Sequence, residues 1–240
     1  MMKTATIPEG DERRKMMSLV LVAIGMIILV WYIREKIHGY TMKAVFLKTA
    51  VSIVFVSIAV TEGSSAVIAP FLIMGLIFGL LGDIWLDLKY VFPSQDETFT
   101  YAGFIVFGIG HILYVAGLLA QYGAGSFIAV SFCLAAVAAG LILILEKPMK
   151  LSYGRMRPIV LAYGFLLFST VFVSGALLLA HREPALWLVF LGSVLFAISD
   201  LILSGTFFGV GRERPIDIIS NYLFYYGGQF LIAYSLVLMR

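Results

Sequence analysis

The chain has 240 residues, of which 61% are hydrophobic and only 13% charged, with a mean hydropathy of +1.01. A soluble domain carries about 25% charged residues, so this balance excludes an ordinary globular domain and points into a bilayer. The formal charge of +3 is carried almost wholly between apolar stretches, which reads as membrane topology and not as a nucleic-acid surface.

Residues 1–15 are polar and are expected to form a loose tail. Arg13, Arg14 and Lys15 then precede an apolar run from Met16 to Ile33. No small-x-small cleavage pattern follows before Arg34, so the run is read as a retained first span. Further apolar runs predict spans over 44–61, 66–88, 100–120, 124–145, 157–180, 185–205 and 216–239. At about 1.5 Å per residue each approaches the roughly 30 Å of a hydrocarbon core, some with tilt. The runs are continuous and not alternating, which argues against strands. The expected fold is therefore all-α: one eight-helix transmembrane bundle over 16–240. Cys133 is the single cysteine, so no intrachain disulfide is possible, and its place within an apolar run suggests a buried thiol.

Eight spans put both termini on one side. The odd-numbered loops carry ten basic residues (Arg34, Lys36, Lys43, Lys89, Lys147, Lys150, Arg155, Arg157, Arg212, Arg214), against six in the even loops and termini. The excess favours odd loops on the cytoplasmic side, while the basic N-terminal cluster pulls the other way. The expected location is a bacterial inner (cytoplasmic) membrane. A duplication is also visible. At an offset of 117, Val54-Phe55-Val56-Ser57 recurs as Val171-Phe172-Val173-Ser174, Gly75 meets Gly192 and Asp83 meets Asp200. At 118, Gly110-His111 meets Gly228-Gln229. A four-span repeat preserves orientation, so two parallel halves would be related by an axis along the membrane normal.

Ionisable residues at membrane depth are costly and ask for a reason. Asp83 and Asp200 close the spans in which Gly75-x-x-x-Gly79 and Gly192 allow close helix approach. Either could simply satisfy interhelical donors, but the matched pair favours a site. Phe104, Phe107, His111 and Tyr114 share one helix face, as do Tyr222, Tyr225, Tyr226 and Gln229. Lys48 lies about one turn inside span two, where it either snorkels or pairs with an Asp. Lys48, His111, Tyr163 and Gln229 start from the same side on which the aspartates end. The polar residues thus gather in one leaflet, as a single polar pocket would require. His38 and His181 fall in loops on opposite sides of the bundle, which makes a three-His zinc site implausible. Neither a Gly-x-Ser-x-Gly elbow nor a P-loop is present.

Five stretches in order carry a resemblance: Phe46-Leu47-Lys48, Gly75 to Leu86 with Gly82-Asp83, Gly110-His111-x-x-Tyr114, Gly192 to Asp200, and Tyr226-x-x-Gln229-x-Leu231-Ile232. Together they resemble the YhhN-like lysoplasmalogenase family of eight-span membrane hydrolases across nearly the whole chain. Thr49 stands where that family usually has Pro, and Asp87 falls outside the matching positions. The resemblance implies hydrolysis of the vinyl-ether bond of a lysoplasmalogen, a lysophospholipid drawn from the membrane, to a fatty aldehyde and a glycerophospho head group. It implies Asp83, Asp200 and His111 as catalytic residues and Lys48, Tyr114, Tyr163, Tyr226 and Gln229 as substrate-binding ones. No metal or organic cofactor is needed, and no nucleic-acid partner is expected. Parallel repeats with intramembrane acids also suit a proton-coupled transporter, and interhelical polar residues suit a non-catalytic lipid-binding protein.

Overall fold

A computed structural model describes residues 9–39, 41–62, 64–210 and 214–239. Residues 1–8 of the expected tail lie outside the described residues, as do Arg212 and Arg240 of the loop charges. The described residues form eight α-helices: α1 (Glu9–His38), α2 (Met42–Glu62), α3 (Ala69–Val91), α4 (Asp96–Tyr122), α5 (Ile128–Ile144), α6 (Arg157–His181), α7 (Pro184–Phe208) and α8 (Pro215–Leu238). Each expected span corresponds to one helix. The first helix begins at Glu9, within the segment expected to be a loose tail. α4 begins at Asp96, a turn before the apolar run, where Asp96 and Glu97 complement the positive end of the helix dipole.

Six of the helices, α1 to α4, α6 and α7, are long and apolar enough to cross a membrane. α5 is apolar but has 17 residues, shorter than the expected 124–145 because Gly123, at φ +77°, ends α4 and a loop intervenes. α8 is less apolar because of Asn221, Tyr222, Tyr225, Tyr226 and Gln229, and all five are buried. Its polar face is turned inward, the inverse of a water-soluble helix. The outer faces are apolar and exposed, as lipid contact demands: Trp31 on α1, Phe46 on α2, Val137 on α5 and Leu179 on α6. Cys133 shares such a face on α5, so the thiol expected to be buried is exposed.

The helices α2, α3, α4, α6, α7 and α8 touch in that order and close a ring, since α8 packs back on α2. α1 lies outside against α2, and α5 lies outside against α6. The second half thus repeats the neighbour order of the first, as the internal duplication predicts. The closest backbone approaches repeat as well. A Cβ on Gly110 would lie 3.1 Å from the Gly75 carbonyl oxygen, and one on Gly228 would lie 2.6 Å from that of Gly192. These are the glycine pairs matched in the sequence, so each half is pinned by the same contact between its third and fourth helices.

Gly228→Ala should therefore force α7 from α8 and destabilise the fold by about 1–3 kcal/mol, the range for overpacking. Thermal unfolding in detergent checks this, with Gly140→Ala as control because nothing lies within 4 Å of its Cβ position.

At the odd-loop end the connection between α5 and α6 is ordered into a cap. Leu151 pairs with Gly209 as an isolated bridge, and the Ser152 amide donates to the Phe208 carbonyl at 2.9 Å. Glu146 accepts from the Tyr153 amide (2.9 Å) and from Arg157 Nε (2.8 Å). Those two donors, the amide foremost, hold its carboxyl below the ordinary carboxylate range. Leu151, Tyr153 and Val160 then form a small apolar cluster with Phe104 and Phe208 beneath this connection.

Candidate active site

Asp83 and Asp200 each stand eight residues before the end of their helix, α3 and α7, and both line one cavity of about 70 Å³. Its lining comes from the odd-loop ends of the helices: Lys48 of α2, Asp87 and Tyr90 of α3, Phe104 and Phe107 of α4, Tyr163 of α6, and Tyr222 and Tyr225 of α8. Most of the remaining wall is apolar, including Leu86, Ile142, Val160, Leu167, Leu203 and Phe207. The volume is room for about two waters.

The repeat runs through the cavity itself. At the offset of 117, Asp83 corresponds to Asp200, Leu86 to Leu203, Asp87 to Ser204 and Tyr90 to Phe207, and all eight line it. At 118, Phe104 corresponds to Tyr222 and Phe107 to Tyr225, again all lining. Tyr90 and Phe207 meet edge to face with centroids 6.3 Å apart. Equivalent residues facing one another across a shared space place the cavity on the axis between the halves.

The two aspartates differ sharply in their partners. Asp83 is 1% exposed. Its Oδ1 lies 3.2 Å from Lys48 Nζ, and its Oδ2 accepts from Ser52 Oγ at 2.6 Å and from the Tyr225 hydroxyl at 2.8 Å. Lys48 Nζ also stands 3.5 Å from Asp87 Oδ1. Asp87 in turn takes Lys36 Nζ at 2.8 Å and the Tyr32 hydroxyl at 3.0 Å. Two ammonium groups and two carboxylates thus form one buried chain across α1, α2 and α3, equal in charge, as burial of ions requires. Asp200, on the half-buried side of α7, accepts from the Tyr163 hydroxyl, and among the described residues no cation lies within ion-pair distance of it.

Lys48, Asp83, Tyr163 and Asp200 therefore face the cavity together. Tyr114, Tyr226, Gln229 and His111 stand behind it. Gln229 Nε2 donates to the Tyr225 hydroxyl at 3.1 Å and its Oε1 receives the Tyr114 hydroxyl at 3.3 Å, so a chain of polar contacts leads to Asp83. The Tyr226 hydroxyl lies 3.2 Å from Ser52 Oγ, which in turn touches Asp83. None of these three lines the cavity itself. His111 Nδ1 is 3.0 Å from Thr170 Oγ1, and the ring packs on Phe196 and Tyr163 with centroids 4.9 and 5.7 Å away. Its Nε2 is buried and has no hydrogen-bond partner among the described residues. Lys48 does not snorkel: it is buried, with its charge committed to two carboxylates.

Sequence reasoning missed Tyr32, Lys36, Ser52 and Asp87. The signal was available in the i, i+4 spacing of Asp83 with Asp87 and of Tyr32 with Lys36, which puts each pair on one helix face. Lys36 was counted as loop charge because it follows Arg34 at the end of the run. It is 4% exposed and stands 3.9 Å from the centroid of Tyr90, while Lys89 stands 3.5 Å from that of Phe207. Cations thus cover the two aromatic rings at the loop end of the cavity.

An inward-facing cavity, largely apolar but bearing carboxyl groups and a lysine, at one end of a helical bundle whose outer faces are apolar, defines an integral membrane protein with an internal site. The sequence matches the YhhN family over residues 43–236, and the chain belongs to that family. The match begins in α2, so Tyr32 and Lys36 are contributed by a helix outside it. No curated protein and no solved structure matches the chain.

Proposed function

We propose that this protein hydrolyses the vinyl-ether bond of a lysoplasmalogen, giving a fatty aldehyde and a glycerophospho head group. The observation that carries the reading is the pair of aspartates on one small, largely apolar cavity in one leaflet. Vinyl-ether hydrolysis needs a proton on the β-carbon, which leaves an oxocarbenium ion, and then water on the α-carbon. Two carboxyl groups divide such work in glycosidases, whose transition state is also oxocarbenium-like. The apolar wall keeps all but a little water from the cation and accommodates the alkenyl chain. Room for about two waters suits the reacting group, with the chain running outward between helices. Lys48 borders this cavity with its charge already shared between Asp83 and Asp87, so its part is to hold those carboxylates.

The test is to present purified protein with plasmenyl and acyl lysolipids side by side. Aldehyde from the plasmenyl lipid with the acyl ester left intact supports the reading. Proton-dependent uptake into liposomes without aldehyde would instead indicate a transporter, and binding without either would indicate a lipid-binding protein.

A further inference from the structure

The duplication provides a comparison inside one molecule. At the offset of 117, Lys48 becomes Phe165, Lys36 becomes Tyr153 and Asp87 becomes Ser204; at 118, Tyr225 becomes Phe107. The contacts survive these exchanges. Lys36 pairs with Asp87 in the first half, and Tyr153 lies 3.1 Å from Ser204 in the second. Ser52 Oγ donates to the Lys48 carbonyl, and Ser169 Oγ donates to the Phe165 carbonyl. The halves are built alike, and each exchange removes charge or a donor from the Asp200 side.

Resting on the hydrolase reading, we infer that Asp200 is the proton donor to the vinyl carbon, Asp83 is the carboxylate facing the cation, and Lys48 is the positioning residue that fixes this division. An ammonium at 3.2 Å and two hydroxyl donors hold Asp83 as an anion. Among the described residues Asp200 has one phenol as partner, and a half-buried carboxyl on a largely apolar cavity without a cation is kept most cheaply as the neutral acid. The charged and titratable groups sharing its cavity are Tyr163 of α6, Asp83, Asp87 and Tyr90 of α3, Lys48 of α2, and Tyr222 and Tyr225 of α8. Within that set both ammonium contacts of Lys48 go to α3.

The steps balance. Asp200 gives its proton to the β-carbon as the π pair forms the new C–H bond. Water adds to the α-carbon and its proton passes to Asp83. The hemiacetal then collapses: Asp83 returns that proton to the glycerol oxygen as its bond to carbon breaks, and the hemiacetal hydroxyl proton goes to Asp200. One water is consumed and both groups are restored.

Infrared spectroscopy of the lipid-reconstituted protein at neutral pH tests the assignment without substrate. The wild type should show a protonated carboxyl band that is lost in Asp200→Asn, moved in Asp200→Glu and kept in Asp83→Asn. Lys48→Gln should add a second such band, and Lys48→Arg should not. A band that disappears with Asp83→Asn, or no band in the wild type, overturns the assignment. Lys48→Gln without a second band overturns the part given to Lys48. Aldehyde release by the wild type tests the underlying reading separately, so a band on Asp83 in an active enzyme defeats only the assignment.

Discussion

Asp200→Asn should lower aldehyde release by a factor of about 10²–10⁴, the usual contribution of a positioned general acid or base. Asp83→Asn should fall in the same range by a different route. The amide cannot face the oxocarbenium ion as an anion or take the proton of the incoming water. The loss should appear in kcat more than in KM, because both interactions develop on the way to the transition state. Among the described residues Asp200 makes one hydrogen bond, to Tyr163, so its Asn variant should melt close to wild type. Asp83 is tied to Lys48, Ser52 and Tyr225, so its Asn variant should lose stability as well as activity. Steady-state kinetics alongside thermal melts separate the two effects. Wild-type rates in both variants would remove the aspartates from the chemistry.

Lys48→Met should have the largest effect on the fold itself. The ammonium is shared between Asp83 and Asp87 deep in the bundle, and its removal leaves the two carboxylates with Lys36 as their one cation among the described residues. Taking one partner from a buried ion pair costs about 3–5 kcal/mol, because the carboxylate left behind must stay unpaired or take up a proton. The expected result is a large drop in the unfolding midpoint in detergent together with loss of turnover. Removing the opposing charge as well, in Lys48→Met with Asp83→Asn, should recover much of the stability and none of the activity. A double variant no more stable than Lys48→Met alone would show that the pair is not the interaction at stake.

The fold was legible because hydrocarbon leaves few solutions. Eight apolar runs leave the backbone little alternative to helices, and each run corresponds to one helix, six of them long and apolar enough to span. The ends were less legible, since polar residues such as Asp96 and Glu97 extend a helix beyond the apolar segment that hydropathy detects. The aspartates stood out by their cost, and helix direction placed Lys48, Asp83, Tyr163 and Asp200 in one leaflet. Their order in depth did not reveal which side chains stand in front. His111 and Gln229 share that leaflet but lie behind Tyr163 and Tyr225. Lys36 was hidden by a neighbouring arginine that made it look like loop charge, and Asp87 by its absence from the matching motifs. Both belong to an ion chain that needs three helices together, which periodicity along one helix does not report.

In the proposed mechanism paired carboxyls protonate a vinyl ether and deliver water to it. Running the wild-type reaction with a plasmenyl lysolipid in D₂O, trapping the aldehyde as it forms, tests this directly. The mechanism predicts an aldehyde carrying one deuterium on the carbon beside the carbonyl, because that carbon receives the proton from the solvent-exchanged carboxyl. No aldehyde above a protein-free control, or aldehyde without deuterium at that carbon, would contradict it.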